Sequence, residues 1–185
     1  MRVLPRKFYN RDTVQVAKDL LGKTLVRKIG KQKLPGTIIE TEAYKGKNDP
    51  ASHSSKKKTE RNKVMFGQVG WSYVYFTYCM HYCFNVVAKK DQQESGAVLI
   101  RSIQPRLGIK TMIKNRKINL IPNLVNGPAK LTQAMHITKK QYHVDLTKDL
   151  DLFIMDGIKA TKILAKPRIG ITVGADKLWN FSFKI

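Results

Sequence analysis

Two carboxylates lie inside a run of β-branched and apolar residues, Gly36-Thr-Ile-Ile-Glu-Thr-Glu-Ala-Tyr44, where a charge is costly. Side chains alternate between the two faces of an extended strand, so the pattern predicts one shared face for Ile38, Glu40, Glu42 and Tyr44. A carboxylate beside an aromatic ring can exchange a proton next to a flat ligand that stacks on that ring. A solvated edge strand is the alternative interpretation of this segment taken alone.

The size and charge of the chain favour one folded domain with a polyanionic partner. Its 185 residues, 42% hydrophobic and 9% aromatic, exclude a disordered basic tail and suffice for one core. Thirty-five lysines and arginines against 13 acidic residues give a net charge of +22. Cations that contact nucleic-acid phosphates release counterions, so this charge favours DNA or RNA as a partner, with membrane contact or a general lysine bias as alternatives.

The sequence contains no segment typical of membrane insertion or secretion. No apolar run approaches the roughly 20 residues of a membrane span, and the first residues lack the apolar segment of a signal peptide. Cys79 and Cys83 give no disulfide framework. We therefore expect a cytoplasmic protein, nucleoid-associated if the source is prokaryotic, that has no membrane partner.

Local patterns predict an α+β fold with mainly antiparallel strands. A helix is expected over residues 12–22, where Asp12 or Thr13 can cap the start and Gly22 can end it. Two aromatic and β-branched runs, 72–78 and 82–88, predict a hairpin, and the basic segment 45–61 predicts a surface loop. The other predicted elements are strands at 23–28, 37–44, 96–103, 158–164, 168–173 and 181–184, and helices at 106–116 and 129–135.

The predicted hairpin carries a high density of aromatic side chains. Phe76 and Phe84 are expected in the core, because aromatic residues at strand spacing usually pack there. Tyr78 and Met80 near the turn form an apolar tip that could enter a stack of bases. Asn85 places an amide where a β-branched residue would pack better, and a hydrogen bond to a neighbouring loop is its structural interpretation.

Arg101 interrupts the apolar run Val98-Leu-Ile-Arg-Ser-Ile103, and a buried arginine needs a carboxylate or polar partner. Glu40 and Glu42 are the candidates, either in a structural ion pair or in a catalytic pair. The segment Cys79-Met-His-Tyr-Cys83 does not provide four converging ligands, so we predict no metal site.

A series of short motifs extends over nearly the whole chain. They are Glu40-Thr-Glu-Ala-Tyr44, Asp49-Pro-Ala-Ser-His-Ser54, Arg61-Asn-Lys-Val-Met-Phe66, Tyr73-Val-Tyr75, Tyr78-Cys-Met-His-Tyr-Cys-Phe-Asn85, Val98-Leu-Ile-Arg101, Asn126-Gly-Pro-Ala-Lys-Leu131 and Arg168-Ile-Gly-Ile171. Their order resembles that of the alkyladenine (3-methyladenine, methylpurine) DNA glycosylases. The resemblance implies a single α+β domain over residues 1–185, in which a curved antiparallel sheet is flanked by short helices.

The resemblance also implies an activity. A monomer without metal or cofactor would flip damaged purines out of double-stranded DNA, hydrolyse the N-glycosidic bond without cutting the strand, and pass the product to an abasic-site endonuclease. By position, Glu42 resembles the general base that activates water, and Arg101 the arginine that holds this carboxylate and the water. Tyr44 and His53 resemble the residues on one face of the flipped purine, and Tyr75 the residue on the other.

Other matching positions would contact the rest of the DNA. Tyr78 resembles the wedge that fills the gap in the duplex, with Met80 beside it. Asn85 matches a residue that crowds the exocyclic amine of guanine, and Ile171 an apolar wall of the pocket. Cations on loops around the site are expected to contact phosphates; they are Lys56, Lys57, Lys58, Arg61, Lys63 and Lys130.

The sequence also departs from the family pattern, because Cys79 occupies a position where glycine is usual. A basic RNA- or DNA-binding module without catalysis would explain the charge and the aromatic residues equally well. It would not explain Glu42 and Arg101 within apolar strands. A third interpretation, a descendant that searches DNA but has lost catalysis, is disfavoured by the same two residues.

Overall fold

A strongly paired antiparallel sheet organises the protein in the computed structural model, which describes residues 2–77, 80–118 and 121–185. The strands are β1 (Thr24–Ile29), β2 (Gln32–Lys45), β3 (Ser72–Thr77), β4 (His81–Val87), β5 (Gly96–Pro105), β6 (Leu152–Met155), β7 (Leu164–Lys166) and β8 (Asn180–Ser182). Within the described residues the strand order is β3-β4-β5-β2-β1-β6, and β8 extends the sheet from β2 to β7. The helices are α1 (Arg6–Tyr9), α2 (Thr13–Asp19), α3 (Ile109–Arg116) and α4 (Pro128–Ala134), with 3-10 turns at Lys63–Phe66, Ile121–Asn123 and Lys139–Gln141. The predicted α+β class with a curved, mainly antiparallel sheet is confirmed.

Strand β2 is the element on which the candidate site is built. It pairs with β1 along its first half, with β5 from Gly36 to Lys45, and with β8 at residues 40–42. Register shifts on both sides of Glu40 interrupt the strict alternation that the sequence predicts. Ile38 consequently packs in the main core, whereas Glu40, Glu42 and Tyr44 belong to one polar cluster.

The main core lies between the sheet and helices α2 and α4. The prediction for α2 is confirmed, because the Asp12 carboxylate accepts hydrogen bonds from the amides of Val14 and Gln15, and Gly22 follows with a φ of 83°. On its inner side, the hydroxyl of Thr41 donates to the carbonyl of Ala17 in α2 at 2.8 Å. The hairpin prediction is confirmed by β3 and β4, and the predicted helices near 106–116 and 129–135 correspond to α3 and α4.

Several local predictions are wrong, each for a physical reason. Phe76 is 49% exposed, because it lies opposite Tyr82 at the turn end of β3, beyond the buried part of that strand. Residues 158–163 and 168–173 form no strand; positive φ angles at Lys162 and Gly170 are incompatible with extended backbone. Helix α3 begins three residues later than predicted, after the left-handed Gly108, and strand β6 was not anticipated.

No helix among the described residues is long and apolar enough to cross a lipid bilayer.

Candidate active site

The Glu42 side chain is fully buried in β2 and surrounded by hydrogen-bond donors. Its Oε1 accepts from the amide of Ile169 at 2.8 Å and from Asn180 Nδ2 at 3.0 Å, and Arg101 Nη1 lies 3.3 Å away. Its Oε2 accepts from the Tyr44 hydroxyl at 2.8 Å. Burial, followed by the negative charge of Glu42, raises the pKa of Tyr44, so the hydroxyl keeps its proton and acts as a donor.

Arg101 and Asn180 each connect the two carboxylates of the strand. Arg101 Nε donates to Glu40 Oε1 at 3.0 Å, and Asn180 Nδ2 donates to the same oxygen at 2.9 Å. The ion pairs expected for Arg101 are therefore present with both glutamates. Sequence reasoning missed Asn180; its signal is an amide between Trp179 and Phe181 in a short aromatic strand.

A second buried ion pair lies behind Tyr44 and was also missed. Arg168 donates to both carboxylate oxygens of Asp49 at 2.7 Å, and neither side chain is exposed to solvent. The Arg168 guanidinium carbon lies 4.7 Å from the centroid of the Tyr44 ring. Both residues occur in the family-like motifs, but neither carries a predicted role.

His53 contacts the aromatic residues of β3. Its Nδ1 lies 2.9 Å from the Tyr73 hydroxyl, and its ring meets Tyr75 edge to face at a centroid distance of 4.6 Å. Although the residue as a whole is exposed, burial of the ring, followed by the positive charge of Arg61, lowers the pKa of His53 to about 4. The imidazole is therefore neutral at neutral pH.

Six of the seven residues predicted for catalysis and base binding line one cavity of about 300 Å³. This volume lies at the lower end of the range of small-ligand pockets. Tyr44, His53, Tyr75, Asn85, Arg101 and Ile171 contribute to its wall, together with Ile169, Gly170 and Tyr73. Asn85 is oriented by β3, since its Nδ2 donates to the carbonyl of Tyr73 at 3.0 Å. Glu42 lies beneath this wall and not in it, covered by Tyr44, Arg101 and Ile169.

The residues predicted to contact the rest of the DNA are more dispersed. Met80 is 68% exposed next to β4, while Tyr78 and Cys79 lie outside the described residues. Arg61 lies over the Tyr75 ring at 4.9 Å but does not line the cavity. The other cations are exposed or half-buried; Lys56, Lys57 and Lys58 are exposed, Lys63 pairs with Glu60, and Lys130 donates to Asn126.

Among the residues that the structure describes, no group of three or more histidine, cysteine, aspartate or glutamate side chains is arranged to hold a metal ion.

Comparison with known proteins places this sequence in a family. Residues 7–184 match the family described as "Methylpurine-DNA glycosylase (MPG)". Proteins named "Putative 3-methyladenine DNA glycosylase" are similar over nearly their whole length: one from Methanocella arvoryzae is 46% identical, covering 98% of this chain and 92% of the relative. Those from Carboxydothermus hydrogenoformans and Legionella pneumophila strain Lens are both 47% identical, covering 98% and 100% of this chain and 95% and 96% of the relatives. The chain belongs to the methylpurine-DNA glycosylase family.

Proposed function

We propose that this protein is a monofunctional DNA glycosylase that takes damaged purines from duplex DNA into the cavity and hydrolyses their N-glycosidic bond with a water activated by Glu42. The observation that carries the proposal is the buried Glu42 carboxylate directly beneath a base-sized, aromatic-lined cavity that Arg101 also lines. Family membership supports the reaction class. Alkylated adenine and guanine are the proposed substrates, with hypoxanthine and etheno-adenine as candidates.

The two oxygens of Glu42 suit different tasks. Oε1 faces the donor groups of Ile169, Asn180 and Arg101, and these contacts hold the carboxylate in place. Oε2 accepts from Tyr44 and is the oxygen left to take a proton from water. Because the carboxylate is fully covered, the Tyr44 hydroxyl must yield to water when a nucleotide binds. The same negative charge then stabilises the oxocarbenium-like transition state of N-glycosidic cleavage.

Stacking would hold the flipped base. One face of the Tyr44 ring is covered by Arg168, so the base would stack on the other face. Stacked bases lie about 3.4 Å apart, so rings that hold a base between them are separated by about 7 Å. The rings of His53 and Tyr75 lie closer to each other than this spacing. We propose that one of these rings moves when the base enters, or that His53 meets the base by its edge. Stacking on aromatic rings recovers roughly 1–3 kcal/mol per base, which offsets much of the cost of flipping.

Neutral His53 is a candidate donor to a neutral leaving base. If the Tyr73 hydroxyl donates to Nδ1, the ring proton resides on Nε2. That N–H would then hydrogen-bond a purine that no alkyl group has made cationic. We assign the wedge to Tyr78 with Met80, the phosphate contacts to the six loop cations named above, and the role of handling the product to an abasic-site endonuclease.

Single-turnover release of hypoxanthine, etheno-adenine and 3-methyladenine from duplex DNA tests the proposal, with alkali-dependent strand cleavage as the readout of the abasic product. We expect Glu42→Gln to lose about 10²–10⁴-fold in rate while duplex binding persists. Glu40→Gln is the matched control; it removes the neighbouring carboxylate that shares Arg101 and should cost less. Duplex affinity should fall with salt by about 0.9 log unit per log unit for each phosphate contacted.

An active Glu42→Gln variant would refute the role of this carboxylate. Tight binding by the wild type with no release of any of the three bases would favour a non-enzymatic binding module. A covalent adduct trapped by borohydride would show a lyase and contradict monofunctional hydrolysis.

A further inference from the structure

We propose that Arg168 and Asp49 are a pair of positioning residues that set the Tyr44 ring and the Ile169 amide against Glu42. The inference rests on the proposed function of Glu42 and Tyr44. Neither Arg168 nor Asp49 lines the cavity, so the pair would act through the residues that it holds and not by touching the base.

Stabilisation of the fold alone does not account well for this pair, because burying the two charges costs free energy. Both side chains are fully buried, and the two Arg168–Asp49 contacts at 2.7 Å form a bidentate fork. Buried ion pairs of this kind contribute little net stability, because desolvation offsets their attraction. The buried Arg168 Nε also has no acceptor among the described residues, which adds to the cost.

The first consequence of the pair concerns Tyr44. Arg168 lies 4.7 Å from the centroid of the Tyr44 ring and 5.2 Å from that of Trp179, and its Nη1 donates to the carbonyl of Ala43 at 3.0 Å. The guanidinium thus fills the space behind Tyr44 and is fixed to the adjoining backbone. This contact defines the plane on which a base can stack and the position of the hydroxyl that donates to Glu42.

The second consequence concerns the cavity wall formed by residues 169–171. Arg168 precedes this wall directly, and its Nη2 also donates to the carbonyl of Gly174 at 3.2 Å. Ile169, otherwise 58% exposed, places its amide 2.8 Å from Glu42 Oε1. The wall has no strand partner among the described residues, so Arg168 is a main anchor for this amide.

Asp49 connects the same anchor to the loop that carries His53. Its Oδ2 accepts from the Lys45 amide at 2.9 Å in addition to Arg168, and the Ser52 amide donates to its carbonyl at 2.9 Å. One ion pair therefore joins the end of β2, the His53 loop and the 169–171 wall. All three segments contribute residues to the cavity.

Hydrogen exchange and excision kinetics together test the pair. Arg168→Lys keeps the charge but loses the fork and the flat stacking surface, and Asp49→Asn keeps the shape but loses the charge. We expect Arg168→Lys to lower the single-turnover excision rate at saturating enzyme by at least about tenfold, with affinity for undamaged duplex changed less than about twofold. The Ile169 amide should exchange at least about tenfold faster, and Asp49→Asn should give smaller changes in the same direction.

The matched control is Arg6→Lys. This substitution weakens the contacts of another arginine that bonds a carboxylate, and Arg6 lines a different cavity. Arg6 donates to Asp145 and to the carbonyl of Val69, both at 2.6 Å. The Arg6→Lys substitution should lower the melting temperature without changing the excision rate of the folded protein or the hydrogen-exchange rate of the Ile169 amide. The proposal would be overturned if the Ile169 amide exchanged at the wild-type rate in both Arg168→Lys and Asp49→Asn. It would also be overturned if, at equal stability, the excision rate fell no more than in Arg6→Lys. Failure of the wild type to release any base would refute the proposed function instead, while Ile169 exchange would still decide the role of the pair.

Discussion

Replacing Asn180 by aspartate tests whether Glu40 and Glu42 depend on the hydrogen-bond donors that they share. The Asn180 amide donates to Glu40 Oε1 at 2.9 Å and to Glu42 Oε1 at 3.0 Å, and the residue is buried. Aspartate has nearly the same shape. The substitution therefore replaces these donors by a third carboxylate about 3 Å from the other two, and Arg101 is then shared among three acids.

The magnitude follows from these distances. Two like charges 3 Å apart repel by about 5 kcal/mol at an effective dielectric constant of about 20, so the new carboxyl takes up a proton. Keeping it protonated at pH 7, about three pH units above its ordinary pKa, costs about 4 kcal/mol. Losing one of the two charge-assisted hydrogen bonds adds about 1.5–3 kcal/mol. We expect Asn180→Asp to lower the free energy of unfolding by about 6 kcal/mol at pH 7 and by about 2 kcal/mol near pH 4.

Urea unfolding of wild type and variant across this pH range measures the difference. A loss of about 6 kcal/mol approaches the whole stability of a typical domain, so the acid side of the series shows that the variant still folds. Asn123→Asp is the control, because Asn123 is exposed and its Oδ1 already acts as an acceptor, from Asn126. Its loss should be small and independent of pH. If the loss in free energy of unfolding caused by Asn180→Asp did not change with pH, a close contact of the new carboxyl group with Glu40 and Glu42 would be refuted.

Two further predictions concern residues whose environments differ from what their sequence positions suggest. The pKa of His53 is lowered to about 4, so an NMR titration of its ring should have a midpoint near that value. The free energy of unfolding should decline as pH falls below about 6.5, because the histidine of the unfolded state is protonated first. A midpoint near 6.5 would contradict the packing of the ring. Phe84→Ala should cost about 3–5 kcal/mol and Phe76→Ala about 1 kcal/mol or less in urea unfolding, because Phe84 is fully buried and Phe76 is half exposed. Equal losses would contradict the burial assigned to the two rings.

The parts of the fold that sequence could predict are those fixed by local rules. The cap at Asp12 and the stop at Gly22 bound α2, and the two aromatic runs define the hairpin, because these signals lie within a few residues of the elements that they specify. Predictions failed at residues 158–163 and 168–173, where exposed isoleucines imitate a strand pattern but positive φ angles at Lys162 and Gly170 prevent an extended backbone.

The candidate site likewise contains residues that sequence could predict and residues that it could not. Glu42 and Arg101 could be found as charges inside apolar strands, and their ion pair is present. Asn180 and Arg168 could not, since they reach Glu42 and Asp49 across more than 100 residues of chain and are flanked by no periodic pattern. Their signals, an amide between aromatic residues and an arginine before Ile-Gly-Ile, acquire meaning only once β8 and the 169–171 wall are placed beside β2.

The distribution of charge suggests how a strongly basic protein can host this site. The chain carries +22 overall, yet its buried cluster around β2 combines the carboxylates of Glu40, Glu42 and Asp49 with the guanidiniums of Arg101 and Arg168, leaving one negative charge in excess. A basic surface attracts the phosphates of a duplex, whereas a buried negative charge disfavours phosphate and favours a group that becomes positive. In the proposed reaction that group is the sugar at the moment its bond to the purine breaks.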